Sequence, residues 1–238
     1  MNNGQGVAAG STRRGRSPLR CRLLGVGAMN SPRYAPAGLL LEFEDTRVMF
    51  DGGPGAAPGE PLDAWLVTDE QAELRAALSA LARPLRVTPV ARDFDAPGIR
   101  VERMAVAHTS HPAFGYRFVV EQGVVVWAPE FIAFPKWAAG ADLMFADAAG
   151  WRRPIWFAGR VGGHMAALDV AQEAQNLRIG RLVLAHIGRP TIRALEQGER
   201  PPFGSFGEDG ELYVLDRRGR VRRYPRRETA RRTDREAR

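Results

Sequence analysis

Cysteine occurs once in these 238 residues, as Cys21. An internal disulfide and any cysteine-rich zinc site are excluded. Lysine is equally scarce: all but one of the 34 basic residues are arginine, which codon bias alone can produce. No apolar run reaches the roughly 18 residues needed to cross a bilayer, so no membrane association is expected. Arg13, Arg14 and Arg16 are not followed by the apolar stretch of a secretory signal, and a cytoplasmic location is the expectation. No short repeat of the solenoid kind is visible.

What is present suits one large α/β domain, with 45% hydrophobic residues to build its core. The charge is divided unevenly. Residues 1–22 hold five arginines and no acid, and residues 217–238 hold eleven arginines and three acids, so the ends carry +5 and +8 against an overall +7, leaving −6 for residues 23–216. Blocks of like charge with few apolar residues bury too little surface to offset the entropy of ordering. Two disordered basic tails, 1–22 and 217–238, are therefore expected around a body at 23–216. The tails are expected either to be solvated extensions or to give weak, salt-sensitive contact with nucleic acid.

Along the body, residues 21–27 read as a strand ending in a glycine turn, and residues 38–43 and 46–50 as a hairpin about Glu44-Asp45. Residues 64–68 form a short apolar strand. Leu74, Leu78 and Leu81 recur at helical spacing over residues 70–82, and Thr68 with Gln71 matches a helix capping box. Further strands are read at 101–107, 116–120, 124–127, 142–146 and 181–185, with a helix at 166–177. Hairpins first, then strands interleaved with helices, point to a layered α/β sandwich.

All four histidines fall between positions 108 and 186. His108 and His111 follow one predicted strand and His186 another, positions from which imidazoles can converge on one rim. His108 and His111 are three residues apart, so in an extended segment they face opposite ways and one of them faces the site. Asp147 closes another predicted strand. Gly159-Arg160-Val161-Gly162-Gly163 is a glycine-rich loop of the kind that accommodates phosphate, and His164 opens the helix after it.

Leu24-Gly25-Val26-Gly27, the hairpin, Phe50-Asp51-Gly52-Gly53-Pro54-Gly55, His108 upstream of Gly115-Tyr116-Arg117, Gly163-His164 and Leu184-Ala185-His186 occur in the order of a known family. Together they resemble the metallo-β-lactamase-fold hydrolases, in the branch containing ribonuclease Z and cyclic phosphodiesterases. The resemblance spans residues 23 to about 190. It implies a four-layer αββα sandwich of the α/β class. It also implies a divalent metal site, with Asp51 ordering the ligand loop.

The chain departs from that family at its HxHxDH loop, where Asp69-Glu70-Gln71-Ala72-Glu73-Leu74 stands instead. Leu74 cannot bind metal, and Gln71 is a weak neutral donor. The resemblance then leaves Asp69, Glu73, His108, Glu130 and His186 as the metal shell, with Glu130 in the bridging position. Glu73 and His164 are the catalytic candidates, His164 for phosphate contact or proton donation. Oxygen-rich donors favour a harder ion, so manganese competes with zinc and a tight dizinc site is not expected. Two functions follow as expectations. One is metal-dependent hydrolysis of a phosphodiester or ester, including small-molecule substrates. The other is a catalytically silent member of the fold that binds a ligand or partner.

Overall fold

The computed structural model describes residues 17–226. The first half contains β1 (Leu19–Gly25), β2 (Gly38–Phe43), β3 (Thr46–Asp51), β4 (Ala64–Leu66), α1 (Arg75–Ala82), β5 (Pro89–Val90), β6 (Phe94–Ala96), β7 (Ile99–Val106) and β8 (Ala113–Val120). There follow β9 (Gly123–Ala128), β10 (Leu143–Ala148), β11 (Ile155–Trp156), β12 (Gly163–His164), α2 (Ala167–Asn176), β13 (Leu182–Ile187), α3 (Arg189–Glu196), β14 (Ser205–Phe206), β15 (Leu212–Leu215) and β16 (Val221–Tyr224).

Two seven-stranded sheets result, ordered β16-β15-β1-β2-β3-β4-β5 and β14-β13-β10-β9-β8-β7-β6. In β1 the alternation of the sequence sets the faces: Leu19, Cys21 and Leu23 turn inward, and Arg20 and Arg22 outward. β9, β10 and β13 pair in parallel, and every residue of β10 and β13 is buried, which is why these strands read as continuous apolar runs.

The inner faces meet at aromatic rings, with Phe50 of β3 at 5.1 Å from Tyr116 and 4.7 Å from Phe118 of β8. Outside the first sheet, α1 seats Leu78 and Ala82 on Leu40, Met49, Trp65 and Val67 as a second, smaller core. Burial of a side chain such as Leu78 stabilises the helix by roughly 1.5–3 kcal/mol. Outside the second sheet, α2 buries Val170, Ala171 and Ala174 against β10 and β13. The order helix, sheet, sheet, helix is the expected four-layer αββα sandwich.

Two local expectations need correction. The helix expected over 70–82 starts only at Arg75, with Leu74 at its N-cap and no side-chain cap. The capping box does not form, because the Gln71 N–H that would close it does not donate to Thr68, whose hydroxyl itself donates to Asp51 Oδ1 at 3.0 Å. Asp69 Oδ1 accepts the Gln71 N–H at 2.7 Å instead, a local turn that delays the helix. The sheet also runs past the expected body. β1 begins at Leu19, and β16 lies inside the segment expected as the C-terminal tail. Residues 1–16 and 227–238, the remainder of the two expected tails, lie outside the described residues.

Candidate active site

Strands of both sheets end on one rim, and the chemistry-bearing residues follow those ends. Asp51 closes β3 in the left-handed region (φ +48°), where a non-glycine residue is strained by roughly 1–2 kcal/mol. Its Oδ1 accepts the Thr68 N–H at 2.7 Å, and its Oδ2 accepts Trp127 Nε1–H at 2.7 Å, so one carboxylate ties the loop after β4 to β9 of the other sheet. Burial pushes the Asp51 carboxyl up to about 7, against the opposing pull of those donors.

His108 and Gly163 hold each other: the Gly163 N–H donates to the His108 carbonyl at 2.8 Å, and His108 Nδ1 lies 3.0 Å from the Gly163 carbonyl. Gly162 is required for this approach, since a Cβ there would meet the His108 carbonyl oxygen at 1.8 Å. With Nδ1 donating to Gly163, His108 Nε2 faces Glu130 Oε2 at 3.2 Å. Two lone pairs would repel at that distance, so the contact calls for a proton on Nε2. Burial opposes the charged form, but Glu130 outweighs it and pushes His108 up to about 9.

Glu130 Oε1 lies 3.2 Å from His186 Nε2, so the carboxylate sits between two imidazoles. Burial alone would raise the Glu130 carboxyl, but the imidazoles beside it hold it well below the usual carboxylate range, and with His186 neutral the charge that does so is on His108. His186 is itself left-handed (φ +54°) at the last residues of β13, and burial holds its pKa below the usual value. His164 stacks on it, ring centroids 5.1 Å apart at 21°. His164 Nδ1 lies 2.8 Å from Asp147 Oδ2, and Asp147 outweighs burial to raise the His164 pKa. Phe157 sets its ring edge-on to His108 at 5.3 Å and to His164 at 5.5 Å.

The expected residues therefore separate into groups. His108, Glu130, His186 and His164 come together, with Asp147 behind His164. Asp69 lines the same small cavity of about 60 Å³ as Glu130, His186, Asp51 and Leu74. Its Oδ2, however, lies 2.8 Å from His111 Nε2, and its Oδ1 is taken by the Gln71 amide. His108 is the histidine that faces Glu130, and His111 the one that faces Asp69. Glu73 and Gln71 are exposed and do not line the cavity. Trp127 and Phe157 carry no signal in the sequence as site residues. Only the strand-end position of Trp127, three residues before Glu130, could have drawn notice.

These donors do not fit a two-ion centre. Leu74 presents an apolar side chain to the cavity, exposed Glu73 and Gln71 do not line it, and Asp69 is bonded to His111. His108 and His186 approach opposite oxygens of Glu130, a row rather than a cage. Among the described residues, no group of three or more His, Cys, Asp or Glu side chains is arranged to hold a metal ion.

An αββα sandwich with histidines and carboxylates on its strand-end rim is the metallo-β-lactamase fold. Solved structures bear out that assignment, although no protein-family model and no curated protein sequence matches the chain. The metallo-β-lactamase fold protein YhfI from Bacillus subtilis superposes with a TM-score of 0.66 at 16% identity, over 84% of this chain and 100% of that one. A diphosphatase of the PhnP family gives 0.64 at 15% identity, over 83% and 97%. The short form of human tRNase Z gives 0.57 at 15% identity, over 81% and 98%. At such identities the likeness establishes the fold.

Proposed function

We propose that the chain is a hydrolase of a phosphodiester or other ester, working through imidazole–carboxylate acid–base chemistry at this rim. The single observation that carries the reading is the packing of the His164–Asp147 pair against the His108–Glu130–His186 row. Paired titratable groups pushed in opposite directions are the mark of an acid beside a base. His164 is pushed toward its charged form and His186 toward its neutral form. In this scheme His164, oriented by Asp147, gives a proton to the leaving oxygen. Glu130 and His186 hold a water in the cavity, and neutral His186 takes its proton as the water oxygen bonds to the phosphorus or acyl carbon and the bond to the leaving oxygen breaks. Phe157 shields the rings from solvent, and charged His108 keeps Glu130 ionised. The PhnP-family diphosphatase and tRNase Z that share the fold lend the substrate class. No step is assigned to a metal or to exposed Glu73.

The test is turnover of a chromogenic phosphodiester and a chromogenic carboxylic ester by purified protein and by His164→Ala. Loss of a general acid lowers a rate by about 10²–10⁴-fold. A slow wild-type rate that falls at least a hundredfold in the variant supports the reading. No turnover of either substrate above the blank would favour the silent, ligand-binding reading instead.

A further inference from the structure

We propose that the outer face of β1, β15 and β16 is a binding surface for single-stranded nucleic acid. This surface is separate from the rim and shares no lining residue with its cavity. The helix α1 seats its apolar side on Leu40, Met49 and Trp65 of β2–β4. Beyond that patch the outer face opens as a groove of about 790 Å³, lined by Arg20, Arg22, Leu212, Val214, Tyr224 and Arg226 among others.

Strand register arranges these side chains in two rows. Arg20 pairs with Val214, which pairs with Arg222; Arg22 pairs with Leu212, which pairs with Tyr224. Directly opposed residues share a face, so an apolar floor on β15 runs between arginines on one side and an arginine and a tyrosine on the other. Tyr224 is 46% exposed, large for an aromatic that nothing covers. Arg20 and Arg222 meet carboxylates only at 3.5 Å (Glu42) and 3.3 Å (Asp216), and remain half exposed. Arg22 has no carboxylate partner among the described residues.

Charge complementarity selects a polyanion. The aromatic beside the arginines selects one with bases to stack, because a flat ring flanked by guanidinium groups is the usual platform for unpaired bases. An anionic membrane would call for an apolar face able to enter lipid, whereas Leu212 and Val214 lie in the floor. The chain that leaves the groove at Arg226 carries five more arginines and no aromatic residue in 227–238.

The experiment is fluorescence anisotropy of the full chain with a labelled oligouridylate or oligothymidylate of about 12 nucleotides, with salt varied between about 50 and 200 mM. Binding should weaken steeply with salt. Tyr224→Phe should bind as wild type, and Tyr224→Ala and Arg22→Glu about tenfold more weakly, with unchanged melting temperatures. Because residues 1–16 and 227–238 contain no aromatic, loss on Tyr224→Ala separates this face from the Arg-rich ends. No binding, or Tyr224→Ala binding as wild type, overturns the proposal. So does binding to phosphatidylserine vesicles that is stronger than to either oligonucleotide and equally sensitive to Tyr224→Ala.

Discussion

Asp147 Oδ2 lies 2.8 Å from His164 Nδ1, and the same carboxylate accepts the backbone N–H groups of Phe131 at 3.0 Å and Ala149 at 2.9 Å. Asp147 is wholly buried, so this one side chain both orients the histidine and satisfies two loops after β9 and β10. Asp147→Ala should strand three donors and cost about 3–5 kcal/mol of stability, read as a shift in urea unfolding. Asp147→Asn should fold better and still lose activity, because a neutral amide no longer favours the charged form of His164. A stable, fully active Asp147→Asn protein would remove Asp147 from the site's chemistry.

Gly162→Ala tests how closely the loop before β12 must approach His108. The added Cβ meets a backbone carbonyl at 1.8 Å, which no rotamer change can relieve. Overpacking of this kind costs about 1–3 kcal/mol, so the melting temperature should fall by roughly 2–10 °C and the hydrolytic rate with it. An unchanged melting temperature would mean that the loop stands further from His108.

Asp51 predicts a pH dependence. Its folded pKa, about 7, lies above the ordinary 3.8, so the folded state binds the extra proton. The stability it contributes is full below the ordinary value and is lost as pH rises through about 7. Between those limits the unfolding free energy should fall with rising pH by up to about 1.4 kcal/mol per unit from this group. Asp51→Asn should remove that slope whatever constant offset it adds. Parallel pH profiles for the two proteins would contradict the assignment.

Metal affinity should be low. Titration with zinc and with manganese should give binding far weaker than structural zinc sites, whose apparent free energies are about 10–16 kcal/mol. Asp69→His, Gln71→His, Glu73→Asp and Leu74→His together should raise zinc affinity at least about tenfold if the loop can turn inward, since imidazoles suit that ion. Two zinc ions bound tightly by the unaltered protein would mean that the ligands lie elsewhere.

The sequence made the sandwich legible because its strands carry their burial in their alternation, as in β1, or in unbroken apolar runs, as in β10 and β13. Strand ends pointed His186 and one of His108 and His111 toward a common rim, and the family resemblance added Glu130 to them. The loop at residues 68–74 was not legible. The Gln71 amide has two possible side-chain acceptors, Thr68 in a capping box or Asp69 in a local turn, and the fold pairs it with Asp69 Oδ1 at 2.7 Å. With that amide on Asp69 the chain turns there, the helix starts only at Arg75, and Glu73 stands exposed. The tail boundary failed for a related reason. Composition sees eleven arginines in residues 217–238, but β16 needs only backbone pairing with β15 to form an edge strand, and its arginines remain in water.

The central claim is that proton transfer among His164, Asp147, Glu130 and His186 does the chemistry. It is tested most directly by the hydrolytic rate of protein dialysed against chelator and shown to be metal-free by elemental analysis. The account predicts that the metal-free protein keeps its rate and that His164→Ala abolishes it. A rate that vanishes with the metal and returns on adding zinc or manganese would contradict it.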